Sequence, residues 1–394
     1  MTVGTGGERI PGAVAAVEGG IERGLHLGGQ LYVSLTGEPV ADLGIGEARA
    51  GVPMTPESMV TWFSMTKPSV AVAVAQQWER GKLEIDDFVT DHIPEFGQHG
   101  KDAITLRHLL THTAGIRPAD LFQSDAPGTA YWEEVIEAIC GVEPEDGWIP
   151  GERAGYHLTA GMTLLAEVVR RVDGRRFEHY VREEIYEPLG MDDCWVGMPA
   201  DVHAAYGARI GTMHHTATGV AVPLDPLDEA AFMERCIPGG GGRGPMNQLA
   251  RLFEMLLQRG ELEGTRLLTP QTVEAITAPH RVGLFDETYH AQCDWGLGFA
   301  VDAYVFGPYA SRRAFGHGGA LSSVSLVDPE HGLVASVQVN GMCTNDDHYL
   351  RMSEIVGALY VDLGLAAPDA PGRDKPFPTV ELPLGDPEEA ESPA

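Results

Sequence analysis

Apolar positions fall at two spacings along the chain, and the spacing changes with position. Near the start, RIPGAVAAVEGGIERGLHLG mixes small and apolar residues at helical intervals, which predicts a helix ahead of the first strand. GGQLYVSLTGEPVADLGIGEA then carries two apolar, β-branched runs broken by Thr36-Gly37-Glu38-Pro39, the pattern of a hairpin. The stretch TWFSMTKPSVAVAVAQQWERGKL reads as an apolar helix that Arg80-Gly81 brings to a stop. From ITLRHLLTHTAGI to RLFEMLLQRGEL the spacing is mainly helical, with Pro/Gly loops between the runs. Strand spacing returns in WGLGFAVDAYVFG, AFGHGGALSSVSLVD and LVASVQVNG, and HYLRMSEIVGALYVDLGL predicts a closing helix.

Strands at both ends with helices between them predict one sheet assembled from the two ends of the chain, with the middle as a helical lobe over it. The expected division is a unit over residues 1–365, with a sheet lobe at about 1–88 and 290–365 and a helical lobe at about 89–289. A site between the lobes follows from where pockets commonly form. Residues 366–394 are rich in proline and acidic residues and predict an extended or disordered tail.

Composition narrows the function. At 394 residues, with 43% hydrophobic and 21% charged positions, the chain can bury a large core, so disorder is not the default. Set against 57 Asp and Glu, the 27 Lys and Arg leave a net charge of −30, which repels phosphate backbones and anionic lipid. Nucleic acid and membrane surfaces are therefore not the expected partners. No run is long enough to span a bilayer, and MTVGTGGERIPGAVAAVEGG lacks a basic leader region, so a cytoplasmic protein is expected. The five cysteines, Cys140, Cys194, Cys236, Cys293 and Cys343, show neither paired nor ligand-like spacing, which fits free thiols.

Within the apolar run, Ser64 and Lys67 stand three apart, on one face of a helix. A serine hydroxyl attacks a carbonyl once a base takes its proton, and burial makes a lysine such a base by lowering its pKa. Pro68 is tolerated only in a first turn, which sets the helix start beside Ser64, where free N–H groups favour developing negative charge.

Taken together, SMTKP, ERGKLEIDDFVTDHIPEF, ITLRHLLTHTAGI, PGERAGYHLTAGMTLLAEVVRRVDG, PGGGGRGPMNQLARLFEMLLQRG, WGLGF and FGHGGALSSVSLVDPEHGLV resemble the class C β-lactamase-like serine hydrolases, and more narrowly the family VIII carboxylesterases. The resemblance implies an α+β fold, an antiparallel sheet from both chain ends flanked by helices, and a mainly helical insertion. It implies Ser64 as nucleophile, Lys67 as general base and Tyr156 as the group that shuttles a proton to and from the leaving group. The backbone N–H groups of Ser64 and Ala320 would form the oxyanion hole. His317-Gly318-Gly319 stands where β-lactamases carry Lys-Thr-Gly, and Leu158 replaces an Asn that holds the substrate's amide there. A largely neutral histidine and a leucine at these places argue against β-lactams and for an uncharged acyl substrate.

Other residues have plainer readings. His108 and His112 are four apart but lack a third ligand, so no metal is expected. Gly239 to Gly244 satisfies G-x-G-x-x-G without a preceding strand, so a loop near the pocket is expected in place of a dinucleotide site. Asp286 and Glu287 read as a solvated loop, while Trp62, Trp132, Trp148 and Tyr289 are candidates for the acyl pocket or for packing. The expected activity is cofactor-independent hydrolysis of a small-molecule ester through an acyl-enzyme. A transacylase that passes the acyl group to an alcohol or amine shares the first half-reaction; a β-lactamase or DD-peptidase is the weaker alternative, and a catalytically silent binding protein weaker still. No residue pattern specifies an oligomeric state.

Overall fold

The first two long strands, β2 (Gly28–Leu35) and β3 (Glu38–Arg49), pair antiparallel across the turn at Thr36-Gly37. A register shift after Val33 accommodates Pro39, which cannot donate to the ladder. A short strand, β1 (Thr2–Thr5), precedes the helix α1 (Pro11–Glu22) and pairs with β3. Helix α1 is thus second in order, where the sequence placed it first; β1 is too short and Gly-containing to show strand spacing.

Five strands from the other end complete the sheet. Leu333–Val339 pairs with β2, and beyond it lie Ser323–Asp328, Phe315–Gly319, Ala300–Val301 and Asp294–Trp295, all antiparallel. The run WGLGFAVDAYVFG gives only two two-residue strands and a 3-10 turn, Tyr304–Phe306, in place of one long strand. The architecture is the expected α+β one, in a computed structural model that describes residues 1–121 and 128–379.

Two cores flank the sheet. One side buries Leu31, Val33, Val337 and Leu326 against α1 and the closing helix Asn345–Asp362. The other buries α2 (Lys67–Glu79), Ala160–Asp173 and Met246–Leu257 in one cluster. Every residue of α2 from Lys67 to Gln77 is buried, which is why its sequence is apolar on all sides. Residues 366–379 form neither helix nor strand, yet they pack on the body: the Phe377 ring lies edge-on to Tyr304 and Tyr349, and Arg373 and Lys375 pair with Asp302. The remainder of the expected tail, 380–394, lies outside the described residues.

Candidate active site

The nucleophile candidate sits on a strained junction. Strand Val60–Phe63 runs into a 3-10 turn, Ser64–Thr66, that continues directly into α2, and Phe63 takes φ 50° and ψ −132°. That backbone costs about 1–3 kcal/mol for a residue with a Cβ. Neighbours hold it in place: Thr66 Oγ1 donates to Phe63 O at 2.6 Å and accepts from Gly242 N at 2.8 Å. Strand Phe315–Gly319 comes close enough that a Cβ on Gly319 would lie 2.3 Å from Trp62 O, so only glycine fits.

Lys67 is fully buried and satisfied three times. Its Nζ donates to Ser64 Oγ at 2.9 Å, Leu158 O at 2.7 Å and Gly239 O at 2.7 Å. Burial pushes its pKa from 10.5 down to about 7, against the upward pull of Asp120. Both carbonyls come from loops packed back to back: a Cβ on Gly239 would lie 2.9 Å from Leu158 O, so glycine is again required. The segment expected as a loop is partly a strand, Gly242–Gly244, between Val60–Phe63 and Trp195–Val196. Ladder bonds hold Gly242–Gly244 on both sides.

Tyr156 lies over this pair, with Lys67 Nζ 4.9 Å from its ring centroid. Its hydroxyl is buried without a full hydrogen bond, beside the Ser64 and Tyr289 hydroxyls. Burial raises its pKa well above the ordinary value of 10.0, so the phenol holds its proton at neutral pH. Below it, His112 Nδ1 accepts from His157 N at 3.1 Å, and the His112 ring packs 4.5 Å from Tyr156 and 4.6 Å from Trp295. Burial drives His112 far below 6.5 and His157 down to about 3, so both rings are neutral.

His317 is also buried and neutral, with a pKa pushed to about 3 by burial and by Lys67. Its Nδ1 lies 2.7 Å from Gly318 O, a carbonyl that only accepts, so Nδ1 carries the hydrogen. Nε2 is then a bare acceptor, buried and without a partner. Ser64, Tyr156, Leu158, Tyr289, Trp295, His317, Gly318, Gly319 and Ala320 line one cavity of about 350 Å³. Arg312, Arg373 to Pro376 and Pro378 also line it.

All eight residues expected from the sequence therefore meet at one cavity or beside it. Leu158 takes part through its carbonyl as well as its side chain. Of the four aromatic candidates only Tyr289 lines the cavity. Trp62 is core, donating to Gly244 O; Trp132 donates to Glu167; Trp148 donates to Thr113 O and lies against Arg117 and Arg153. His108 accepts from Thr105 N at a helix start, and no three His, Cys, Asp or Glu side chains among the described residues are placed to hold a metal.

The solvated reading of Asp286 fails. Asp286 is completely buried, pairs with buried Arg281 at 3.0 Å, and accepts from Tyr156 N, Thr288 N and Tyr289 N. Arg281 in turn donates to Thr111 O and Cys293 O. Glu287 points the other way, to Arg117 and Arg153 at the surface. Asp120 is a further site residue that spacing did not reveal; its partners lie about forty positions away, at Leu158, Thr159 and Ala160.

Comparison with known proteins gives the family and the fold. The profile of the Beta-lactamase family matches residues 13–357. The Esterase/beta-lactamase LipL of Mycobacterium tuberculosis is 28% identical over 346 residues, covering 79% of this chain and 77% of its own. A penicillin-binding protein homologue from Caulobacter crescentus superposes with TM-score 0.77 and 30% identity over 92% of this chain and all of that one. A family VIII carboxylesterase gives TM-score 0.77 at 24% identity, over 91% and 99% of the two chains, a likeness of fold. With residues 13–357 matched by that profile, which is most of its length, this chain belongs to the beta-lactamase family of serine hydrolases.

Proposed function

We propose that the protein is a serine carboxylesterase that acts on small, uncharged esters through a covalent acyl-enzyme. The observation that carries this reading is Lys67 Nζ at 2.9 Å from Ser64 Oγ, with the lysine pKa brought to about 7. Neutral Lys67 takes the Ser64 proton as Oγ bonds to the ester carbonyl carbon. The oxyanion is held by the N–H groups of Ser64 and Ala320, typically worth about 3 kcal/mol per donor. The C–O bond to the alcohol then breaks, and the alcohol leaves with a proton passed from Lys67 through the Tyr156 phenol. Water attacks the acyl carbon with proton transfer by the same groups, which releases the acid and frees Ser64. No cofactor or metal enters these steps.

Two features favour an uncharged substrate. Where a cation would attract a carboxylate, neutral His317 offers a bare acceptor. The inner cavity wall is aromatic and aliphatic, from Tyr289, Trp295, Val301 and Val305. Penicillins and cephalosporins are therefore expected to be poor substrates. The free cysteines support a reducing compartment such as the cytoplasm for this chemistry.

The test is intact-mass detection of an acyl-enzyme with a panel of p-nitrophenyl esters, varying water, alcohol and amine acceptors. Wild type should gain one acyl group, and Ser64→Ala should gain none and lose at least about a thousand-fold in turnover. Undiminished turnover by Ser64→Ala would overturn the mechanism. Efficient capture by low concentrations of alcohol or amine would replace the esterase reading with a transacylase; sustained turnover of lactams would revive the β-lactamase reading.

A further inference from the structure

Asp120 lies in the short 3-10 helix Arg117–Leu121, outside the residues given a chemical role above. Its carboxylate accepts four hydrogen bonds from three consecutive residues. Leu158 N lies at 2.7 Å, Thr159 N at 2.8 Å, Thr159 Oγ1 at 3.2 Å and Ala160 N at 2.7 Å. These are donors at the start of helix Ala160–Asp173, whose own N-cap Thr159 supplies no side-chain cap. Burial raises the Asp120 pKa above the usual carboxylate value, and the three backbone donors, the positive end of that helix and Lys67 pull it back toward the charged form.

One peptide plane connects this anion to the lysine. The amide between Leu158 and Thr159 gives its N–H to Asp120 Oδ1 and receives Lys67 Nζ on its carbonyl at 2.7 Å. Because the peptide is planar, fixing its N–H fixes the direction of its carbonyl. We propose that Asp120 is a positioning residue for acylation: through the Leu158–Thr159 peptide it aims Lys67 at Ser64. The inference rests on Lys67 acting as the base for Ser64.

The groups around Lys67 make Asp120's charge decisive. The lysine faces Ser64 Oγ, two carbonyls and the Tyr156 ring, and its charge is felt by His112 and His317. The phenol and both imidazoles are neutral, which leaves Asp120 as the anion that offsets burial of the ammonium. Without it the lysine would lose its proton at a lower pH, and its amine would be less firmly aimed.

The experiment measures kcat/KM for a p-nitrophenyl ester from pH 5 to 9 in wild type, Asp120→Asn and Asp120→Glu, with acyl-enzyme mass and melting temperature alongside. Asn keeps an acceptor and removes the charge. Its acid limb should move about one unit to lower pH, with a plateau about ten-fold lower from misplacement of the amine. Glu keeps the charge, so its limb should stay near that of wild type while its plateau falls. An Asn variant that loses activity without moving its limb, or whose profile matches wild type, overturns the proposal. If Asn does not fold, a Glu limb displaced to lower pH overturns it and an unmoved one supports it. A wild-type protein that acquires no acyl mass on Ser64 overturns the underlying reading, and the positioning role with it.

Discussion

Lys67 shows how strongly one residue's surroundings set its chemistry. An ammonium with three short hydrogen bonds would ordinarily stay protonated, but full burial removes its hydration and brings its pKa to about 7. The base form is the neutral one, so acylation is expected to rise with pH through about 7 and level above it, as a stopped-flow pH profile would record. Stability should answer in the same direction. The unfolded chain binds a proton at Lys67 up to about pH 10.5 that the folded one releases above about 7, so this group's cost to folding shrinks as pH rises across that window. Lys67→Met should be inactive and, at pH 7, more stable by on the order of 2 kcal/mol, the burial cost less the hydrogen bonds left unmade. Denaturant titrations at pH 7 and pH 10 check this: the gain should narrow toward pH 10. At His317, replacement by lysine should leave the ester plateau lower and raise affinity for carboxylate-bearing acyl compounds, read as a fall in their inhibition constants.

At the level of elements, the site depends on segments that meet from far apart in sequence. The loop before helix Ala160–Asp173 brings Tyr156 and the Leu158 carbonyl, the Gly239 loop brings a second carbonyl, and strand Phe315–Gly319 brings His317. The buried pair Arg281–Asp286 ties the first of these segments to the Tyr289 loop by holding Tyr156 N and Tyr289 N. Removing one partner leaves an uncompensated buried charge, so Asp286→Ala should destabilise the fold by about 3–5 kcal/mol. Its denaturation midpoint should fall, and acylation should fall with it as Tyr156 loses its anchor. Adjacent acidic residues in a loop are usually solvated, and nothing in Asp286-Glu287 separates the buried carboxylate from the exposed one. The contact with buried Arg281 and the hydrogen bond from distant Tyr156 N do so.

Across the whole molecule, the chain builds its sheet from strands near both ends of the sequence, and its cavity is lined in part by residues after the closing helix. The segment 373–378 supplies that part of the wall, anchored by Phe377 between Tyr304 and Tyr349 and by the Arg373 and Lys375 pairs to Asp302. Phe377→Ala should loosen that wall and raise KM for longer esters several-fold while leaving kcat for a small acetate ester nearly unchanged, as steady-state kinetics on an ester series would show. A proline-rich, acidic stretch has the composition of a disordered tail, and what orders its first part is contact with a surface that exists only after folding.

Local rules sufficed for the elements whose pattern repeats over many residues. The Thr36-Gly37 hairpin, the apolar run of α2 from Val70 to Ala75 and the closing helix follow from period and turn chemistry, and Ser64 and Lys67 stay three apart across the turn that leads into α2. Motifs in order along the chain identified Tyr156 and His317. What tertiary structure decided was solvation and orientation: that Lys67 is stripped of water, that Asp120 and Asp286 are buried carboxylates holding the backbone beside Lys67 and Tyr156, and that three tryptophans do not line the cavity. Desolvation and hydrogen-bond geometry belong to the space between distant segments, and no interval within one segment encodes them.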